Sequence, residues 1–128
     1  MESSMINRRF TVSASDLATG EFIIIENVQL LVDAKDFVGN TTTTTLYPKE
    51  FQIINDTGAQ VEINFLKDVY EHREFLAHPE RYMPIRVPDS FILQDEFPVS
   101  VIQKIVVRGT SGATHTSDLI IEMLKYSQ

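Results

Sequence analysis

Phe51-Gln52-Ile53-Ile54-Asn55-Asp56-Thr57-Gly58-Ala59-Gln60-Val61-Glu62-Ile63-Asn64-Phe65 is the stretch on which the fold class turns. In its second half apolar and polar residues alternate strictly. A period of two puts Val61, Ile63 and Phe65 on one face of a strand and Glu62 and Asn64 on the other. The first half is an apolar, β-branched run of strand length. Between them lies Asp56-Thr57-Gly58, where glycine supplies a positive φ without steric cost. Two such runs joined by a short glycine-containing turn predict a β-hairpin.

Working outward, the same grammar recurs. Phe10 to Ala14 alternates loosely and meets a turn signal at Ser15-Asp16. Glu21 to Val32 is rich in Ile, Val and Leu, and Thr41 to Leu46 opens a β-branched stretch. Downstream, Pro84, Pro88 and Pro98 confine the backbone to sheet edges and loops around the short strands Ile85-Arg86-Val87 and Ser90 to Leu93. Val101 to Arg108 predicts a strong strand, Gly109-Thr110-Ser111-Gly112 a hairpin turn, and Leu119 to Leu124 the closing strand. One segment differs. Leu66, Val69, Tyr70, Leu76 and Ala77 recur at helical spacings, Asp68 and Glu71 have the spacing of a capping box, and Pro79 stops continuation. The reading is an all-β chain with one short helical insert near 66–78. Short strands with frequent turns give a β-sandwich, jelly-roll or immunoglobulin-like. Residues 10–128 form a single domain and residues 1–9 an N-terminal arm.

Bulk properties agree. The chain has 128 residues and is 43% hydrophobic, enough for one domain with a real core. It has no cysteine, which removes disulfides, thiolate metal sites and cysteine nucleophiles together. A formal charge of −7 is opposite to the field that neutralises phosphates, so no nucleic-acid partner is expected. The apolar run Phe22 to Ile25 is far too short for a membrane span or a secretory signal, so no membrane partner is expected either.

Residue types that carry chemistry yield no constellation. His72 and His78 are six apart, whereas a chelating pair on a helix needs a spacing of four, so both read as solvent-exposed helix residues and no metal site is expected. His115 stands alone in a Gly/Ser/Thr-rich loop and reads as solvated. No Gly-x-Ser-x-Gly elbow occurs, and Gly109 to Gly112 lacks the lysine of a phosphate-binding loop. Asp95-Glu96 and Asp33/Asp36 read as turn charges and Phe97 as a core anchor. No catalytic residue and no cofactor is expected.

Two segments suggest contacts instead. Thr41, Thr42, Thr43, Thr44 and Thr45 make either an exposed edge or loop, or an edge that pairs with a neighbouring chain. Arg8 and Arg9 end an arm that is either frayed or docks on the acidic surface of a neighbour. Phe22, Phe37, Tyr47 and Tyr82 are candidate aromatic anchors.

Residues 51–65 and 84–124 resemble small β-modules of tailed-bacteriophage virions. The similarity lies in the strand, Asn-x-Gly turn and strand of Phe51 to Ile63, in Lys104-Ile105-Val106-Val107-Arg108, in the turn Gly109-Thr110-Ser111-Gly112 and in Asp118-Leu119-Ile120-Ile121-Glu122. It covers about half of the chain; the section before it and the insert at 66–80 are additional. The resemblance implies a capsid decoration or head- or tail-associated structural protein without an active site. Such a protein, made in the host cytoplasm and carried in the virion, binds other virion subunits and itself. A carbohydrate- or ligand-binding module on the same scaffold is the rival. Such modules display lines of exposed Trp or Tyr, and this chain has no Trp and four scattered Tyr.

Overall fold

A computed structural model describes residues 8–26, 32–35, 43–68, 70–97 and 102–127. Its strands are β1 (Arg8–Val12), β2 (Ile23–Glu26), β3 (Val32–Lys35), β4 (Thr43–Asn55), β5 (Val61–Leu66), β6 (Ile85–Val87), β7 (Phe91–Glu96), β8 (Lys104–Gly109) and β9 (Leu119–Ser127). They build two antiparallel sheets. The first has the order β1-β9-β4-β3, with β7 also paired to β4, and the second has the order β2-β8-β5-β6. Phe51, Ile53, Ile121 and Met123 of the first sheet share one buried cluster with Ile25, Val61, Ile63, Ile105 and Val107 of the second. The sheets therefore pack face to face as a sandwich, the expected class.

Neither predicted hairpin exists. β4 pairs with β3, β7 and β9, whereas β5 pairs with β6 and β8. The Asp56-Thr57-Gly58 link thus carries the chain from one sheet to the other. The same holds for Gly109 to Gly112, because β8 pairs with β2 and β5 while β9 pairs with β1 and β4. A turn inside one sheet and an arch between two share turn residues and flanking apolar alternation. What separates them is where the buried side chains of the flanking strands meet. Here Ile53 and Val61 approach the same core from opposite layers.

The helical insert is present but shorter and differently faced. β5 runs through Leu66, and the helix α2 spans Glu71–Ala77, followed by one 3-10 turn, Pro79–Arg81. Asp68 Oδ1 accepts the Tyr70 N–H and Glu71 Oε2 accepts the Lys67 N–H, a displaced relative of the expected capping box. Of the predicted apolar stripe, Leu66 lies in the strand, Tyr70 and Leu76 are exposed, and Val69 is outside the described residues. Phe75 is the helical residue that is buried. It packs with Leu66 and Val106 against Phe22, Ile24 and Tyr82, covering the outer face of the second sheet. A further helix, α1 (Ala14–Ala18), replaces the turn expected at Ser15-Asp16. Ser13 Oγ accepts the Asp16 N–H at its start, and Leu17 anchors it in the core.

Candidate interaction surface

Four links change sheet at one end of the sandwich: β1 to β2 through α1, β4 to β5, β6 to β7, and β8 to β9. Asn55, fully buried, ties three of them together. Its Nδ2 donates to the carbonyls of Ala59, Val87 and Pro88, and its Oδ1 accepts from the N–H and hydroxyl of Thr57. Thr57 in turn reaches the third arch: its carbonyl accepts from the Thr116 N–H, and its hydroxyl lies 2.9 Å from His115 Nδ1. The Thr57 hydroxyl is thus within hydrogen-bonding distance of Asn55 Oδ1 at 2.7 Å, the Ala59 carbonyl at 3.1 Å and His115 Nδ1 at 2.9 Å.

His115 is only 7% exposed, against its expected place in solvent. Its Nε2 faces Gly109, where a Cβ would overlap the Leu17 carbonyl oxygen and press on the imidazole. A hydroxyl beside an imidazole is also how nucleophiles are activated. This one is sealed in the interior and acts as a clasp between arches.

His72 is half-buried with its ring against the edge of Phe75, and His78, at the helix end, is exposed. Among the described residues no group of three or more His, Asp or Glu side chains is placed to hold a metal ion. No helix among them is long and apolar enough to cross a membrane. A cleft of about 270 Å³ beside α2 is lined by Phe22, Phe75, Leu76, Pro79, Tyr82 and Arg108. Its rings pack on one another at 4.8 to 5.3 Å between centroids. Arg108, 4.6 Å from the Phe22 centroid, is forked onto Glu62 at 2.9 and 3.2 Å. This is a secondary core roofed by a neutralised guanidinium. Burial, with Glu62 adding to it, pushes the Tyr82 phenol up to about 12.

The first sheet is built differently on its outer side. Its register sets Ile54 directly opposite Ile92 of β7 and Ile120 of β9, and Ile120 opposite Thr11 of β1. Phe51, Ile53, Ile121 and Met123 point inward, so these three isoleucines form a row on the outward face. Ile92 is 58% exposed, and its neighbour Phe91 at the sheet edge is 48% exposed. The adjoining row is polar, with Gln94, Gln52, Glu122 and Arg9.

Arg9, expected in a docking arm, is in β1 on this face and bonds Glu122 at 3.2 Å. Arg8 is also a β1 residue, its guanidinium 5.8 Å from the Phe10 ring centroid. The strand therefore begins inside the predicted arm, whose residues 1–7 lie outside the described ones. Thr43, Thr44 and Thr45 form the start of β4 and pair with Lys35, Ala34 and Asp33 of β3, so one of their edges is occupied within the chain. Thr41 and Thr42 lie outside the described residues, as does Phe37. Tyr47, Phe22 and Tyr82 are half-buried.

The isoleucine row went unread in the sequence, although a signal exists. Ile53-Ile54 and Ile120-Ile121 each break the period of two and so place one isoleucine on each face.

No protein-family model matches the chain, and no curated protein matches it.

Proposed function

We propose that this chain is a non-enzymatic structural subunit of a bacteriophage virion, acting through contacts with neighbouring subunits. The observation that carries the contact part is the asymmetry of the two outer faces. The second sheet is roofed by α2, whereas the first leaves Ile92, Ile54 and Ile120 aligned on its surface with no described element over them. An apolar row rimmed by Gln94, Gln52, Glu122 and Arg9 has the composition of a protein contact, apolar at the centre and polar at its margin. Repetition of such a modest contact in a lattice gains strength because neighbours are already held close.

The virion part rests on the resemblance carried by residues 51–65 and 84–124. The rival reading, a carbohydrate-binding module, draws no support from the ring cluster beside α2, since Phe22, Phe75 and Tyr82 pack on each other.

Mass spectrometry of purified particles from an infected host tests the proposal. The chain is expected in them at a fixed ratio to the major capsid or tail subunit. An Ile54→Lys/Ile92→Lys variant is expected to drop out of particles while keeping a cooperative melting transition. Absence of the wild-type chain from particles defeats the reading.

A further inference from the structure

The backbone of β7 offers a second contact surface, of a different kind from the isoleucine row. Phe97 N–H donates to the Lys49 carbonyl at 2.9 Å, which fixes the phase of the β4–β7 ladder. In an antiparallel pair successive residues turn their N–H and C=O alternately toward and away from the partner. Phe91, Leu93 and Asp95 therefore bond β4, and Ile92, Gln94 and Glu96 direct their backbone groups outward. Glu96 N–H is already taken by the carboxylate of Asp95 at 2.7 Å. Among the described residues, that leaves the four polar groups of Ile92 and Gln94 as the open stretch of the edge, and such a stretch is a template for an added strand.

Charge says what kind of strand fits. Glu96 sits directly opposite Glu50, a like-charge pairing that disfavours the sheet, and Asp95 adjoins it. Lys125 lies 3.8 Å from Glu50, but among the described residues neither Asp95 nor Glu96 has a cationic partner. A second copy of this chain, with its charge of −7, would bring acid to acid.

We propose that the outer edge of β7 accepts an antiparallel strand from a basic partner protein, with Arg or Lys opposite Glu96 and a branched apolar residue opposite Ile92. The partner's pattern is basic, any, polar, any, apolar, read from its N-terminus. The apolar residue lengthens the isoleucine row, and the cation relieves the Glu50–Glu96 opposition. This names the partner chemistry of the surface described above and rests on that reading for there being a protein partner.

The test uses the full-length, nitrogen-labelled chain and a capped peptide, Thr-Arg-Val-Thr-Val-Ile-Thr, followed by nuclear magnetic resonance and amide exchange. Saturable shifts and protection are expected at the Ile92 and Gln94 amides. The same peptide with Glu in place of Arg is expected to bind about five-fold more weakly, the difference shrinking as salt is raised. Gln94→Pro removes an outward N–H and leaves the β4 ladder intact, so it is expected to abolish binding without loss of the fold. Glu96→Lys is expected to reverse the preference between the two peptides and serves should the proline variant fail to fold. Unchanged Ile92 and Gln94 amides, equal binding of both peptides, or concentration-dependent protection of these amides without peptide, which would mean a second copy, overturns the proposal. A chain found in particles whose β7 ignores the peptide loses only this inference. A chain that binds the peptide but is absent from particles loses only the virion reading.

Discussion

Replacing Asn55 by alanine removes at one position the donor shared by three carbonyls and the acceptor of two Thr57 groups. Since unsatisfied buried polar groups carry most of the penalty, Asn55→Ala is expected to cost about 3 kcal/mol, seen as a lower urea midpoint. Ser90 closes the β6–β7 arch with a φ of 59°, a conformation that costs any residue with a Cβ. Ser90→Gly is therefore expected to stabilise the chain, by about 1 kcal/mol in the same measurement. At Tyr82 the phenol is held at about 12 in the fold against 10.0 when free. Its neutral form is the one that the fold favours, so this stabilisation is complete below pH 10 and is lost as pH rises toward 12. Tyr82→Phe is expected to reduce that part of the stability fall, leaving the share due to Tyr126, which is also raised to about 12 by burial.

At the scale of elements, α2 is held mainly by Phe75, and His72 beside it reports the contact. Burial, then repulsion from Lys104 and Arg73, lowers the His72 pKa from its ordinary 6.5, with Glu26 opposing. The unfolded chain takes up the proton first, so the fold is expected to lose stability as pH falls below about 6.5. His72→Gln is expected to reduce that slope in urea titrations run across this range.

The strands themselves were legible in the sequence, because alternation such as Val61-Glu62-Ile63-Asn64-Phe65 is local. Their partners were not. Whether Asp56-Thr57-Gly58 turns back within a sheet or arches to another depends on β8 taking the place beside β5, some forty positions along the chain. α1 was missed because Ser13 and Asp16 serve a turn as readily as a helix cap. Phe75 was overlooked because the apolar spacing around it fits two faces. His115 looked solvated because its loop is polar; its partner Thr57 is distant in sequence. The surface isoleucines became visible only once the register of β7, β4 and β9 was known.

For the whole molecule, the charge of −7 and the edge of β7, uncovered among the described residues, both favour a basic strand over an acidic one there. Most pairings are between strands far apart in the chain: β1 with β9, β2 with β8, β4 with β9. Such a topology folds slowly for its size, and stopped-flow refolding is expected to take milliseconds to seconds, in the range of sandwiches and not of helical bundles.

The place of β9 between β1 and β4 has a consequence for synthesis. β1 has its only described neighbour in β9, and the paired residues Arg9 and Glu122 are 113 positions apart, so β1 must wait, unpaired, until β9 has been made. The first sheet cannot close until β9 has left the ribosome. A chain interrupted before Leu119 would leave the facing edges of β1 and β4 without their shared partner, two unpaired templates where the whole chain has none at that place.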